Sequence, residues 1–187
     1  MGFRFKELAI PDVLLIEPDT YGDERGFFRE TYKRSAFAEG GLDRDFAQGN
    51  FSRSRRGVIR GLHFQRDPAA VGKLVGVVSG RIFDVAADIR PGSETYGRWV
   101  GEELSAEDGR MLFVPEGFAH GFAALEDDTL VTYLMTGEYS PEHDGGVRWN
   151  DPEIGVEWPV DDPILSAKDQ ELPFLKDIAA VAEEARA

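Results

Sequence analysis

The alternation of residue types between Arg81 and Arg90 constrains the fold of this chain more than any other feature of its sequence. Positions 83, 85, 87 and 89 are apolar, whereas the alternate register carries two aspartates at positions 84 and 88. Successive side chains of a β-strand point to opposite faces, so a period of two predicts a strand. One face would be apolar and the other would carry the carboxylates. From this pattern alone, Asp84 is expected to be solvated.

Short segments of strand character recur along the chain, separated by turns that contain Gly and Pro. Besides Arg81–Arg90, the predicted strands are Val13–Ile16, Phe27–Thr31, Val58–Phe64, Leu74–Val78, Arg98–Leu104, Met111–Val114, Gly121–Leu125 and Leu130–Met135. The Ser79-Gly80 pair predicts a hairpin turn. Helix is predicted only at Arg34–Glu39, near Ser166–Gln170 and in a tail from about residue 177. The sequence therefore predicts an all-β sandwich or small barrel, with residues 1–187 forming a single domain.

The composition excludes several kinds of site. The chain has no cysteine, which excludes disulfides, cysteine nucleophiles and thiolate metal sites. Lys and Arg total 21 against 35 Asp and Glu, and the resulting net charge of −14 would repel nucleic acid. The start lacks an apolar signal segment and no stretch approaches transmembrane length, so we expect a cytoplasmic protein without a membrane partner. No Gly-rich dinucleotide-binding motif occurs, which is consistent with chemistry that needs no nicotinamide.

A cluster of arginines stands out against this acidic background. Arg53, Arg55, Arg56 and Arg60 fall within eight residues of one another. A run of like charge is usually a solvated loop, but it could also concentrate cations for a small anionic substrate. The cluster by itself favours neither interpretation.

Two of the three histidines, which are His63, His120 and His143, lie in informative surroundings. His63 lies in the predicted strand Val58–Phe64, where simple alternation would point His63 and Arg60 to opposite faces. His120 follows a turn and has small neighbours, which would let the backbone bring it close to a ligand.

The segment Pro115–His120 resembles the second motif of the cupin barrels. This resemblance implies a cupin-like double-stranded β-helix, or jelly roll, with a few short helices. Metal-binding cupins carry His-x-His in their first motif, but here that position is His63-Phe64-Gln65 and supplies one imidazole. His63, His120 and a carboxylate could still form a facial triad for iron. A metal-free site is favoured because the second imidazole is missing.

A narrower resemblance rests on nine motifs that occur in order. They are Asp23–Glu30, Gln48–Ser52, Gly57–Gln65, Lys73, Phe83–Ala86, Pro115–Phe122, Tyr139–Glu142, Trp149–Pro152 and Leu165–Asp169. Together they resemble the dTDP-4-dehydrorhamnose 3,5-epimerase family, from about Phe3 to Leu175. The resemblance implies an isomerase without metal or other cofactor, which converts dTDP-4-dehydro-6-deoxy-D-glucose to dTDP-4-dehydro-L-rhamnose. Protons would be removed and returned at C3 and C5, beside the C4 ketone.

By this resemblance, five residues would carry the chemistry. His63 would be the base, a role that suits histidine because its side chain exchanges protons near neutral pH. Asp169 would pair with His63, and Lys73 would stabilise the enolate oxygen. Tyr133 would be the proton donor, and its presence favours inversion at both carbons. Asp84 would be a second inward carboxylate that pairs with Lys73.

The resemblance also implies the substrate contacts and the assembly. The expected substrate-binding residues are Arg25, Glu30, Gln48, Asn50, Arg60, Lys73, His120, Tyr139 and Asp144. Arginine suits the diphosphate because its guanidinium makes bidentate pairs with phosphate. The family often has Glu in place of Asp144, a difference of one methylene. Its members are generally dimers with exchanged N-terminal strands, so we expect a homodimer, and Phe3–Ile16 itself has strand character.

Three other functions stay open at this point. A relative of the same fold could epimerise one carbon, or another nucleotide sugar, and product analysis would separate it. A metal-dependent cupin dioxygenase or isomerase would be separated by metal analysis of the pure protein. A non-enzymatic sugar-binding cupin would release no label from a labelled substrate.

Overall fold

β-Strands are the main secondary structure of the protein, whose structure is a computed structural model that describes residues 2–178. In chain order the strands are β1 (Phe3–Glu7), β2 (Leu14–Pro18), β3 (Thr20–Asp23), β4 (Gly26–Arg29), β5 (Gln48–Ser54), β6 (Ile59–Gln65), β7 (Lys73–Ser79), β8 (Arg81–Asp88), β9 (Trp99–Ser105), β10 (Met111–Val114), β11 (Phe118–Ala124), β12 (Thr129–Met135) and β13 (Asp144–Gly146). Helix α1 (Arg34–Glu39) lies between β4 and β5, and α2 (Ala167–Glu171) follows β13. Within residues 2–178, no helix is long and apolar enough to cross a lipid bilayer.

The strands form two antiparallel sheets that face each other. One sheet has the order β1-β2-β10-β7-β12-β5 and the other has the order β13-β6-β11-β8-β9, while β3 and β4 form a separate hairpin. Apolar side chains from both sheets meet between them, including Val75 and Val131 from the first sheet and Ile82 and Phe122 from the second. This cupin-like jelly roll confirms the predicted all-β fold.

The outer face of the five-stranded sheet is covered by the C-terminal part of the chain. Phe83 on β8 makes edge-to-face contacts with Trp99 and with Trp158. Leu175 is buried in the same cluster. Both faces of this sheet are therefore shielded from water, and the segment that carries α2 is held against the barrel.

Most predicted elements are confirmed, with small shifts at their ends. β10 and α1 have the predicted bounds, whereas β11 begins at Phe118, three residues before the predicted start. Beyond residue 178, the predicted helical tail lies outside the described residues. The sequence does not predict β5, because its inward side chains Gln48 and Asn50 are polar and give no apolar alternation.

The hairpin predicted at Ser79-Gly80 is wrong. β7 and β8 are consecutive in the chain but belong to different sheets, so the chain crosses between the sheets at Gly80. Gly80 has a φ of 80°, and a Cβ at this position would lie 2.5 Å from Thr129 Oγ1. Glycine permits such a change of direction. A turn signal marks the end of a strand but does not tell which strand the next one will pair with.

The carboxylate face of β8 points into the barrel. Asp84 and Asp88 are both 0% exposed, and they alternate with Ile82 and Ala86 on the face that lines the core between the sheets. The expectation that Asp84 is solvated is therefore wrong. The period of two separates the faces of a strand, but here both faces are covered by protein and the pattern does not identify the solvated one.

A bulge in β6 changes which of its residues share a face. His63 pairs with His120 and Arg60 pairs with Phe122, and the register shifts between these two pairs. Because directly opposed residues of a sheet lie on the same face, His63 and Arg60 share a face although they are three positions apart in the chain. The expectation of opposite faces is wrong. Gly61 makes the bulge possible, with a φ of 125° and its Cα packed against Gly121.

Candidate active site

A cavity of about 310 Å³ opens at one end of the barrel, where β7 begins and β12 ends. Most of its lining comes from strands of both sheets, with additions from the loop before β13 and from α2. The lining residues are Gln48, Asn50, His63, Phe64, Gln65, Val71, Lys73, Tyr133, Met135, Tyr139, Asp144 and Lys168. The cavity therefore brings together predicted residues that are up to 96 positions apart between Gln48 and Asp144.

His63 and Asp169 form a hydrogen-bonded pair at this cavity. The Nε2 atom of His63 lies 2.6 Å from Oδ1 of Asp169. Asp169 stands in the first turn of α2, where its backbone N–H donates to the side chain of the N-cap residue Ser166. This cap fixes the start of the helix and hence the position of the carboxylate. The His63 side chain is 30% exposed and that of Asp169 only 5%, so the imidazole faces the cavity and the carboxylate lies behind it.

The electrostatics of the pair determine which nitrogen of His63 is free. Burial raises the pKa of Asp169, but the hydrogen bond and charge of His63, with help from Ser166 and Lys168, outweigh it and lower the pKa overall. Asp169 is therefore an ionised acceptor near neutral pH. A carboxylate accepts the Nε2–H of a neutral imidazole, and this leaves Nδ1 as the basic nitrogen. We assign the tautomer from this partner.

Lys73 supplies a cation to the interior of the cavity. It is the first residue of β7, and its Nζ lies 3.5 Å from the backbone oxygen of His63. Burial lowers the pKa of Lys73 to about 8, although the charges of Asp84 and Asp144 act in the opposite direction. At neutral pH the side chain is therefore an ammonium group, and in a partly buried site its charge acts more strongly than it does in bulk solvent.

Tyr133 lies on β12 and faces the same cavity. Burial raises the pKa of its phenol, and the nearby charge of Arg60 partly opposes this shift. The phenol therefore keeps its proton at neutral pH. Arg60 itself is more exposed, and its guanidinium donates to Ser54 Oγ and to the backbone oxygen of Arg53. Arg60 does not line the cavity but lies close enough to influence Tyr133.

A second His–Asp pair lies beneath the cavity. His120 Nε2 is 2.8 Å from Asp84 Oδ1, and both side chains are buried. Burial lowers the pKa of His120 despite the neighbouring carboxylate. The expected pairing of Asp84 with Lys73 is corrected, because within residues 2–178 the carboxylate bonds to His120 and influences Lys73 only through its charge. The bond forms because β8 and β11 are neighbours in the sheet.

The polar rim of the cavity has its own hydrogen-bond network. Gln48 donates to Asn50 and accepts from the backbone N–H of Tyr139. The Tyr139 hydroxyl and the Lys168 ammonium both donate to Asp144. Lys168 was not among the predicted site residues, although it stands next to Asp169 in a motif that carries the resemblance. A lysine in a short predicted helix is usually solvated, so the sequence carries no signal that Lys168 faces the cavity.

Two predicted substrate-binding residues lie away from the cavity. Arg25 stands in the turn of the β3–β4 hairpin, where it is exposed and paired with Asp23. Glu30 follows that hairpin, and its Oε2 atom is buried without a partner among the described residues. One chain therefore does not bring these two residues to the cavity. Residues 2–178 also contain no group of three or more His, Asp or Glu side chains placed to hold a metal ion.

Comparison with known proteins gives a consistent result. The sequence model of the dTDP-4-dehydrorhamnose 3,5-epimerase family matches residues 7–177. A dTDP-4-dehydrorhamnose 3,5-epimerase from Methanothermobacter thermautotrophicus is 51% identical over 178 residues, which cover 94% of this chain and 96% of the relative. A dTDP-4-dehydrorhamnose 3-epimerase from Streptomyces niveus is 41% identical over 175 residues, covering 93% and 84%.

A solved structure extends this similarity to the fold. The dTDP-6-deoxy-D-glucose-3,5-epimerase of Legionella pneumophila, in complex with dTDP-4-keto-L-rhamnose, superposes with a TM-score of 0.92. It is 42% identical in sequence, and the match covers 96% of each chain. The family match spans nearly the whole of the described structure, including the cavity and both His–Asp pairs. The chain therefore belongs to the dTDP-4-dehydrorhamnose 3,5-epimerase family.

Proposed function

We propose that this protein epimerises dTDP-4-dehydro-6-deoxy-D-glucose at C3 and C5, giving dTDP-4-dehydro-L-rhamnose. The observation that carries the proposal is the His63–Asp169 pair in a cavity that also holds an ammonium and a phenol. A hydrogen on a carbon beside a ketone is acidic because its removal gives an enolate. The reaction therefore requires a base, a group that stabilises the enolate oxygen and an acid on the opposite face of the ring.

His63 is the base in this mechanism. With Nε2–H donated to the ionised Asp169, the other ring nitrogen accepts the proton from C3 or C5. The imidazolium that forms is then stabilised by the adjacent carboxylate. Asp169 keeps its negative charge throughout and holds the ring in one orientation.

Lys73 stabilises the enolate. As the proton leaves carbon, negative charge moves onto the C4 oxygen, and a preorganised cation lowers the energy of that state. Removing one such donor costs roughly 10²- to 10³-fold in rate. The ammonium needs no reorganisation because the start of β7 already fixes its backbone.

Tyr133 is the acid that returns a proton on the other face. The phenol keeps its proton at neutral pH and gives it to the enolate carbon, after which solvent restores it. The diphosphate and nucleoside would extend toward Arg60, Gln48, Asn50, Tyr139 and Asp144, which surround the mouth of the cavity or lie near it. His120 would contact the sugar from the cavity floor.

The proposal is tested by incubating chelator-treated protein with dTDP-4-dehydro-6-deoxy-D-glucose in D₂O. NMR is expected to show deuterium at both C3 and C5, together with the L-rhamno product. His63→Ala is expected to lose both exchange and inversion. Tyr133→Phe is expected to keep exchange with retained configuration but to lose inversion. Absence of exchange in the wild type, restored by adding a metal ion, would support a metal-dependent cupin instead.

A second candidate is an epimerase that inverts a single carbon. The similarity to the Streptomyces niveus 3-epimerase favours it, because that relative covers almost the same part of the chain. The D₂O experiment separates the two functions. Deuterium and inversion at C3 alone would identify the single-carbon reaction, whereas label at both carbons would support the 3,5-epimerase.

We also propose that the protein acts as a homodimer in which each chain supplies Arg25 to its partner's cavity. Arg25 lies in a motif that carries the family resemblance, yet its hairpin is away from the cavity of its own chain. Phe27 and Phe28 on this hairpin are 64% and 57% exposed, and Phe51 on the edge strand β5 is 70% exposed. Exposed aromatic side chains of this kind commonly mark a protein interface.

Subunit mixing tests this arrangement. A mixed dimer of His63→Ala and Arg25→Ala chains would contain one cavity with both residues intact, so mixing the two weak variants is expected to restore activity. A mixture of His63→Ala with Lys73→Met is the control, since each cavity would keep one defect. If activity were restored in neither mixture, or in both, Arg25 would not act in the cavity of the partner chain.

A further inference from the structure

Asp84 is the most deeply buried ionisable group near the cavity. Its side chain is 0% exposed, and one carboxylate oxygen, Oδ1, lies 2.8 Å from His120 Nε2. The other oxygen, Oδ2, is buried and has no hydrogen-bond partner among the described residues. A carboxylate in such a place is costly unless nearby groups compensate its charge. The role of the Asp84 carboxylate must therefore be sought in the groups around it.

Asp84 cannot contact a substrate directly, since the protein covers it completely. Its influence must pass through its neighbours Lys73 and His120. His120 lies directly opposite His63 in the sheet. Lys73 lines the cavity and feels the charge of Asp84 more strongly than that of any other carboxylate.

The charges of these neighbours follow from their burial. Burial lowers the pKa of His120, and the charges of Lys73 and His63 add to this effect, so its ring is neutral at neutral pH. A neutral ring that faces a carboxylate through Nε2 carries its proton there, and its Nδ1 is then a hydrogen-bond acceptor. Burial also works against the charge of Lys73, and Asp84 is the largest influence that opposes it.

We propose that Asp84 is a positioning residue whose buried carboxylate keeps the Lys73 ammonium charged and fixes the proton of His120 on Nε2. This inference rests on the epimerase function proposed above. In that function, the cavity must present a cation to the developing enolate oxygen while His63 accepts the proton from carbon. A fixed anion behind Lys73 meets the first need without itself contacting the substrate.

Asp88 provides a matched control within the same strand. It is also 0% exposed and lies on the same face of β8, but its carboxylate accepts hydrogen bonds from Arg90, Ser93 and Thr95. Asp84→Asn and Asp88→Asn are therefore the same chemical change at two buried sites. Among the described residues, Asp88 has no hydrogen bond to His120, and its charge is not one of the causes that shift the pKa of Lys73.

The first experiment needs no substrate. Lysine labelled with ¹³C at Cε is titrated by NMR, with the Lys73 signal assigned from Lys73→Met. The wild-type ammonium is expected to titrate near the pKa of about 8 that burial gives it. In Asp84→Asn, the pKa of Lys73 is expected to fall by about 1 to 3 units, as for loss of a nearby opposite charge. Asp88→Asn is expected to leave it unchanged.

Other titrating groups around Lys73 must be separated from this effect. They are His63 on β6, Asp84 on β8, His120 on β11, Tyr133 on β12, Asp144 on β13 and Lys168 and Asp169 on α2. Spectra of protein with ¹⁵N-labelled histidine follow the two imidazoles directly. The wild type is expected to carry the His120 proton on Nε2, and a proton on Nδ1 instead would overturn the proposed role toward His120.

The pH dependence of kcat/KM then connects the inference to activity. The Lys73 ammonium is lost as the pH rises through its pKa, so the alkaline limb of the wild-type profile is expected near pH 8. In Asp84→Asn this limb is expected to move to lower pH by the same shift that NMR gives for Lys73. If the protein showed no epimerase activity, the proposed function would fail while both NMR measurements would still test Asp84.

One pattern of results would overturn the inference. If Asp84→Asn lost stability as Asp88→Asn does, but left the Lys73 titration unchanged, Asp84 would be a residue of the core and not a positioning residue. Circular dichroism identifies a variant that does not fold. In that case Asp84→Glu, which keeps the charge, is expected to preserve the pKa of Lys73, and a large shift in that variant would contradict the proposal.

Discussion

His63 and Asp169 are 106 residues apart in the chain, yet their side chains share one short hydrogen bond. The imidazole faces the cavity and the carboxylate is behind it, so each group has an environment suited to a different task. The base must reach solvent and substrate, whereas its partner must stay ionised and fixed. The N-cap at Ser166 supports this division, because it helps to orient the first turn of α2.

We expect Asp169→Asn to lower the rate of deuterium exchange at C3 and C5 by about 10²- to 10⁴-fold. An amide can present N–H to His63 Nε2 and so favour the wrong tautomer, while the shape of the site is kept. The measurement is the exchange rate by NMR at neutral pH. Ser166→Ala is the control, since it removes the cap and costs roughly 1 kcal/mol of stability but keeps the carboxylate. Equal rate losses in both variants would contradict the role of Asp169.

The sequence indicates the identities of the site residues better than their partners. The family resemblance selects His63, Lys73, Tyr133 and Asp169, and the structure brings all four to one end of the barrel. The partner of Asp84 could not be predicted, because it depends on which strand lies beside β8. That choice is made by the sheet as a whole, and no local pattern encodes it.

Among the elements, β6 shows how a single glycine can decide the geometry of a site. The bulge at Gly61 places Arg60 and His63 on the same face of the sheet, where each is paired with one residue of β11. Without the bulge, alternation would turn one of them away. A cation expected to bind phosphate and the expected base could then not serve the same substrate.

We expect Gly61→Ala to destabilise the protein by more than the roughly 1–3 kcal/mol that a strained backbone conformation costs. The new Cβ would lie 2.5 Å from Gly121 Cα, so β6 and β11 would have to separate. Urea unfolding measures the loss. In the control, Gly92→Ala, φ is also positive at 86°, but no atom lies within 4 Å of the new Cβ. Similar losses in the two variants would argue against close strand contact as the cause.

Elements with apolar alternation are predictable from the sequence, whereas a strand with a polar inward face, such as β5, is not. β10 and α1 were found at their predicted bounds, because burial of apolar side chains fixes both the pattern and the structure. β5 carries polar residues on its inward face, since that face borders the site. The function of β5 thus removes the signal by which a strand is normally recognised.

At the scale of the whole molecule, the loop between β8 and β9 is tied to the barrel by Asp88. Burial opposes ionisation of this carboxyl, but hydrogen bonds from Arg90, Ser93 and Thr95 outweigh it and hold the pKa of Asp88 well below its usual range. Arg90 also pairs with Asp12 and lies over the ring of Phe118. The loop, the N-terminal region and the barrel thereby share one ionic contact.

We expect Asp88→Asn to lower the free energy of unfolding by roughly 2–4 kcal/mol at pH 7, because buried hydrogen bonds to a charged group are lost. The folded-state pKa is depressed, so this stabilisation is present above the unfolded pKa of about 3.9 and is lost as the pH falls through the folded value. Urea unfolding of both proteins at pH 7 and pH 3, at one protein concentration, measures the difference. If the difference in unfolding free energy between the wild type and Asp88→Asn were not smaller at pH 3 than at pH 7, the stabilisation would not come from the ionised carboxylate.

The interior of the barrel changes character along its length. On β7, Lys73 lies at the cavity while Val75 and Val77 follow on the same face, and on β12 Tyr133 is preceded by Val131. One end of the barrel therefore contributes apolar core packing and the other contributes the reactive side chains, and few residues do both. In a scaffold divided in this way, substrate-facing side chains can be substituted without disturbing the apolar core at the opposite end, which provides most of the stability. Diversification toward new sugars is then limited by chemistry more than by the risk of unfolding.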